Sequence, residues 1–223
     1  MSKPRLACFD LDHTLLSGDS DVLWCEYLID TGHLDRDTFQ AKNADMEVQY
    51  KAGSVAMDEF ANFYVGTLTG FTPAHWEPVR QAFLRERIIP RLPADAVQLV
   101  QHHRQAGDEL VLTTATNRFI TELTARLLGF KHLIATEPEI AGGNFSGKTI
   151  GVLNMREGKV ARLAAWLASR SQSLGDFDSA AYSDSINDLP LLKAVNRAVA
   201  VDPDARLEAE AHTRGWKVLR LAR

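Results

Sequence analysis

The stretch Arg5 to Leu16, R-L-A-C-F-D-L-D-H-T-L-L, constrains the fold of this chain more than any other. Leu6–Phe9 is a short unbroken apolar run, the pattern of a strand buried on both faces. Such strands belong to parallel sheets sandwiched between helices. Asp10 and Asp12 follow where the run ends, and ligands of open α/β sheets gather at the carboxyl ends of strands. Two acids held close there repel unless a bound cation or a shared proton compensates them. Two solvated acids are the commoner meaning of a lone D-x-D. The weight comes from further along the chain: Thr114, Lys159 and Ser183-Asp184-Ser185-Ile186-Asn187-Asp188.

The downstream pattern supports the same architecture. Residues 17 to about 89 show no strand pattern and read as about four helices. Val22, Leu23, Tyr27 and Leu28 recur at helical spacing, as do positions in 39–50 and 57–68, with Gly32, Gly53 and Gly70 as punctuation. Thr72 and Pro73 open the fourth helix, which ends at Pro90. A helix then runs from Pro93 to about Gln105, with Gly107 as its stop. Strands are predicted at 109–113, 132–136, 180–183, 198–201 and 217–221, separated by helices at 117–128, 157–169, 189–195 and 204–213. Ala141 to Gly147 carries hairpin turn signals. The expected fold is a doubly wound parallel sheet of Rossmann type. Its core comprises residues 1–16 and 90–223, and an α-helical cap (17–89) is inserted early.

Composition narrows the function classes. The 223 residues suffice for one domain with an insert, and a net charge of −4 argues against a general nucleic-acid binder. Two cysteines, Cys8 and Cys25, make neither a disulfide framework nor a zinc site. No apolar stretch reaches the ~18 residues of a membrane span, and Met1–Pro4 leads straight into a strand without a signal-peptide core. A cytoplasmic protein without membrane association is expected.

The acids, the hydroxyl and the lysine together suit phosphate-monoester cleavage. That reaction needs an in-line nucleophile, a proton for the leaving alkoxide and positive charge at the phosphoryl oxygens. Asp10 is a candidate nucleophile and Asp12 a candidate acid and base. Mg²⁺ takes one or two carboxylates plus phosphate oxygens and water, and Asp184 offers a further carboxylate. Thr114, after a strand and before a helix, is a candidate phosphate ligand, with Thr113 and Thr116 competing for the role. Lys159 offers a point positive charge. Taken singly, a helix cap and a solvated lysine account for these last two.

In combination and in order, D-L-D-H-T-L, the strand followed by Thr114, Lys159 and S-D-S-I-N-D resemble the four motifs of the haloacid dehalogenase superfamily. The closest branch is subfamily IB, the phosphoserine phosphatase-like enzymes, and the likeness covers nearly the full chain. The resemblance implies an Mg²⁺-dependent phosphomonoesterase with Asp10 as nucleophile and Asp12 as general acid and base. Thr114 would supply the motif-two hydroxyl and Lys159 the motif-three cation. Asp184 would hold the metal with the Asp10 carboxylate and the Asp12 carbonyl, Asp188 would support it, and Asn187 would touch phosphate. Many relatives carry Gly where this chain has Ser183. An acid at position 12 separates the phosphatases from dehalogenases, which lack one, and from transport ATPases, which place Thr there.

The substrate end is less defined. Residues 17–60 carry ten acids against three bases, most of them read as solvated helix faces. Asp19, nine residues after Asp10, matches the family acid that holds the substrate amine, which implies an amine-bearing ester such as phosphoserine or histidinol phosphate. Its competing meaning is a helix cap. Arg118 is a further candidate for substrate contact, with a surface salt bridge as the alternative. His13 reads as a loop residue packed under the lid, and His102 and His103 as solvated. The competing functions are a phospho-accepting signalling receiver, which is shorter and lacks the helical insert, and a non-catalytic binding protein. The oligomeric state is left open.

Overall fold

The computed structural model describes residues 3–52 and 56–222, so the Gly53 breakpoint lies outside the described residues. Among these residues seven strands form one sheet in the order β4-β3-β2-β1-β5-β6-β7. They are β1 (Arg5–Phe9), β2 (Glu109–Asn117), β3 (His132–Ala141), β4 (Asn144–Ile150), β5 (Asp178–Ser183), β6 (Arg197–Val201) and β7 (Lys217–Leu219). All neighbours run parallel except β3 and β4, the antiparallel hairpin anticipated from its glycines. Gly142 and Gly143 make its turn with φ of 58° and 87°, a conformation that costs glycine nothing.

The apolar run of β1 lies at the centre, paired with β2 on one side and β5 on the other. After β1 the chain builds outward through β2 and β3, then returns to add β5 against β1's other edge. The order therefore reverses between β1 and β5, the place where open α/β sheets bind ligands. Asp10 and Asp184 follow the carboxyl ends of these two strands, tied by a hydrogen bond from Asp10 N to Tyr182 O of 3.0 Å.

Among the described residues four α-helices occupy the interval before the sheet resumes: α1 (Ser20–Asp30), α2 (Arg36–Ala52), α3 (Met57–Val65) and α4 (Pro73–Phe83). Thr72 caps α4 through the His75 N–H, and Pro73 sits in its first turn, as the sequence predicts. A π-helical turn, Leu84–Ile88, and a 3₁₀ turn, Ile89–Arg91, carry this segment on to the region of Pro90. Trp24 and Trp76 are packing residues: both are buried, with rings 5.8 Å apart, and Trp24 packs edge-on against Phe83. Several hydrogen bonds fasten the insert to the core, on the helix that follows β2 and on β4. Arg80 donates to Phe119 O at 2.8 Å, Gly70 and Phe71 bond the backbone of Phe145, and Asn62 Oδ1 accepts from Thr149 N at 2.7 Å.

The remaining helices are α5 (Ala94–Gln105), α6 (Arg118–Leu127), α7 (Glu157–Ala168), α8 (Leu189–Ala194) and α9 (Ala205–Arg214). They cover the parallel strands from both faces, giving two buried clusters, one around Phe9 and Leu112, the other around Cys8 and Val111. Among the described residues no helix is long and apolar enough to cross a membrane.

Two expectations need correction. Strand β2 extends four residues beyond Thr113, because Thr114 and Asn117 continue to pair with β3 across an irregularity. His103 is buried, not solvated: its ring bridges Asp108 (2.6 Å) and the Tyr182 hydroxyl (2.7 Å) and packs edge-on against Phe9. Its partners lie 5 and 79 positions away, which helix polarity does not reveal.

Candidate active site

Beyond β1 the chain turns back tightly, with Leu15 N and Leu16 N both bonded to Leu11 O. The turn passes through His13 at φ 56°, and it places Thr14 behind the acids. Thr14 Oγ1 lies 3.1 Å from Asp10 Oδ2 and 2.9 Å from Asp184 Oδ1, and it accepts the Asp184 N–H at 3.0 Å. One hydroxyl therefore spans two carboxylates that lie 174 positions apart in the chain.

Lys159 enters from the first turn of α7. Its ammonium lies 2.7 Å from Asp10 Oδ1 and 2.6 Å from Asp188 Oδ2, and it is 3% exposed. Ser183 donates a further bond to Asp188 Oδ2 at 2.7 Å. Two local features aim this helix. Gly158 runs so close to Leu153 O that a Cβ there would overlap the carbonyl. Asn154, fully buried, bonds Thr113 Oγ1, Thr114 O and Ile134 O, so it ties the approach to α7 to β2 and β3.

Asp12 is held from both sides. Its Oδ1 accepts the Ser20 N–H at 2.7 Å, and its Oδ2 accepts from the hydroxyls of Thr114 (3.2 Å) and Thr116 (3.0 Å). Thr116 Oγ1 also lies 3.2 Å from Asp21 Oδ2.

Asp10, Asp12, Asp21, Thr116, Lys159, Asp184 and Asp188 line one cavity of about 230 Å³ with His13, Asp19, Phe60, Tyr64, Ala115, Ser185 and Asn187. Phe60 and Tyr64 come from α3, so the helical insert forms part of its wall. Burial pushes the Asp10 carboxyl well above the usual range against the opposing pull of Lys159, with Asp188, Asp184 and Asp12 adding repulsion. Burial also works against the Lys159 ammonium, but Asp10 and Asp188 outweigh it and hold its pKa above normal. Burial raises Asp184 to about 6, opposed by the Thr14 hydrogen bond.

The structure thus gathers Asp10, Asp12, Asp19, Lys159, Asp184, Asn187 and Asp188. Thr114 is fully buried with its hydroxyl on Asp12, while Ala115 and Thr116 meet the open space. Asp19 lines the cavity but also caps α1, its Oδ1 accepting the Val22 N–H at 3.0 Å. Arg118 is not brought in: its guanidinium is engaged by Glu137 (2.8 to 3.0 Å) and Leu133 O (3.0 Å), the salt bridge that was its alternative meaning. His13 is an exposed residue at the cavity wall, not one packed beneath the insert. Sequence reasoning assigned no role to Thr14, Asp21 or Asn154. Thr14 alone carried a signal, its place two residues after Asp12.

The family model of the haloacid dehalogenase-like hydrolases matches residues 7–193. A histidinol-phosphatase of Neisseria meningitidis serogroup C is 40% identical over 217 residues, 96% of this chain and 98% of that one. A phosphoserine phosphatase of Mycobacterium tuberculosis is 32% identical over 97% of this chain and 71% of its own. A crystal structure of a protein of unknown function from Bordetella pertussis superposes with a TM-score of 0.94 at 43% identity, covering 98% of this chain and 99% of that one. A substrate-bound phosphoserine phosphatase shares the fold, with a TM-score of 0.67 at 15% identity over 98% and 94%. Fold and site together define a hydrolase with acidic and lysine groups at a sheet switch point. The chain belongs to the haloacid dehalogenase-like hydrolases, and its class is that of the superfamily's phosphatases.

Proposed function

We propose that this chain is an Mg²⁺-dependent phosphomonoesterase of small, amine-bearing metabolites, acting through an aspartyl-phosphate on Asp10, with L-histidinol phosphate as its first candidate substrate. The observation that carries the reading is the Thr14 hydroxyl within hydrogen-bond distance of both Asp10 and Asp184. Residues 17–89 serve as the cap and residues 1–16 with 90–223 as the core. The 40% identity to a named histidinol-phosphatase supports the substrate choice, and the reaction belongs in the cytoplasm.

The residues fit the ion. Asp10 and Asp184 supply two hard carboxylates on a shared hydroxyl, the donor set Mg²⁺ favours; the Asp12 carbonyl would join them as a ligand, and Asp188 would support the ion. Among the described residues no cluster of three or more acid, histidine or cysteine side chains forms an all-protein cage. The bound ion would neutralise charge between the phosphate and the acids.

Asp10 attacks phosphorus and the bond to the leaving oxygen breaks, while Asp12 delivers its proton to that oxygen. Water then attacks phosphorus, Asp12 takes its proton, and the bond to Asp10 breaks to release phosphate. Lys159 keeps Asp10 oriented and offsets charge as the phosphoryl group arrives. Thr114 acts through Asp12, with Asn187 and the backbone at Ala115 left to meet phosphate oxygens. Asp19 faces the leaving group.

Phosphate release from p-nitrophenyl phosphate and from L-histidinol phosphate, with and without Mg²⁺, tests the reading. Activity that needs Mg²⁺ and disappears in Asp10→Asn supports it. Undiminished activity in Asp10→Asn removes the nucleophile and the mechanism with it.

A further inference from the structure

The cavity holds an acid that the proposed chemistry does not use. Asp21 sits in the first turn of α1 and lines the same wall as Asp19 and Thr116. Its Oδ2 is within reach of the Thr116 hydroxyl at 3.2 Å. Its Oδ1 is shut off from solvent and meets no hydrogen-bond donor. A carboxylate oxygen withdrawn from water without a partner costs free energy that folding alone does not recover.

Among the described residues no cation relieves it. Lys159 is engaged by Asp10 and Asp188, and the charged groups acting on Asp21 are the acids Asp19 and Asp12. Asp19 differs in a way that matters, because one of its oxygens already caps α1. Phe60 and Tyr64 line the same space. Aromatic rings beside an uncompensated acid favour an organic cation over a hydrated metal ion.

We infer that Asp21, more than Asp19, receives the cationic group of the leaving alcohol, an ammonium or imidazolium whose arrival turns the carboxyl so that the closed-off Oδ1 gains a donor. Asp21 is then the specificity-determining acid of this site. The inference rests on the phosphomonoesterase reading and adds to it the part of the protein that selects the substrate. The Thr116 hydroxyl reaches both Asp21 and Asp12, so the cation binds one hydroxyl away from the acid that protonates the leaving oxygen. Burial, with repulsion from Asp19 and Asp12, pushes the Asp21 carboxyl well above the usual range. An arriving cation reverses that bias.

The test compares kcat/KM for L-histidinol phosphate and for p-nitrophenyl phosphate in the Mg²⁺-loaded wild type, Asp21→Asn and Asp19→Asn. Asparagine keeps the shape of Asp21 and removes its charge. In Asp21→Asn the ratio of the two values should fall about tenfold to a hundredfold, through KM for the cationic ester, and in Asp19→Asn it should fall less. An unchanged ratio in Asp21→Asn, or a larger fall in Asp19→Asn, overturns the assignment. A second measurement needs no variant. L-histidinol should inhibit wild-type hydrolysis of p-nitrophenyl phosphate at least about tenfold more tightly than the neutral 3-phenylpropan-1-ol. Equal inhibition overturns the inference while the phosphatase reading stands. A wild type that cleaves neither ester overturns that reading itself.

Discussion

Lys159 holds its ammonium 2.7 Å from Asp10 Oδ1 across 149 positions of sequence, and the same nitrogen meets Asp188 Oδ2 at 2.6 Å. The pair lies almost wholly out of water, with side-chain exposures of 3% and 9%. A buried cation between two acids is costly to remove, because the acids are then left facing one another.

Lys159→Met should therefore abolish phosphatase activity and also destabilise the fold by about 3–5 kcal/mol. Urea unfolding alongside turnover of p-nitrophenyl phosphate checks both. Loss of activity with unchanged stability would show that Lys159 acts only on substrate.

Thr14→Val removes the hydroxyl shared by Asp10 and Asp184 while keeping side-chain size. Groups that orient metal ligands commonly affect affinity about 10–100-fold, so Mg²⁺ binding measured by calorimetry should weaken to that extent. Unaltered Mg²⁺ affinity would detach Thr14 from the proposed metal site.

Gly158→Ala would drive a methyl group into the Leu153 carbonyl at the base of the helix that carries Lys159. Backbone must move to admit it, at about 1–3 kcal/mol. The melting temperature should fall, and kcat should fall with it as Lys159 shifts. A variant as stable as wild type would mean that the loop from Leu153 yields freely.

Asp19 gives a pH signature. Burial and the neighbouring Asp12 raise its carboxyl to about 6, against the pull of the Val22 N–H. The folded state therefore binds this proton more tightly than the unfolded chain, whose aspartates titrate near about 4. The stability it lends is complete below the unfolded value and is lost as pH rises through about 6. In Mg²⁺-free buffer, Asp19→Asn should gain on the order of 1 kcal/mol over wild type between pH 4.5 and 7, since asparagine still caps α1. Denaturant midpoints at the two pH values decide it, and parallel curves would contradict the assigned pKa.

The Leu6–Phe9 run and the alternation of strands and helices settle the parallel sheet and its helical layers, because burial on both faces demands an unbroken apolar strand. The insert is legible for the same reason: a long interval of 3.6-residue periodicity holds no run of strand type. Chemical motifs at strand ends locate Asp10, Asp12 and Asp184, since the backbone direction of a strand fixes where the next few residues lie. Side-chain direction and partners separated by many positions are a different matter, and only the packed molecule decides them. Arg118 lies one residue past β2, yet it turns away to Glu137. His103 lies in a polar helix, yet it is drawn inward by Asp108 and Tyr182. Asp21 is one of ten acids in its region, and nothing in spacing tells it from its neighbours. Periodicity records which face of an element is buried. The hydrogen bonds that select one acid among many depend on groups brought together only when distant parts of the chain pack in space.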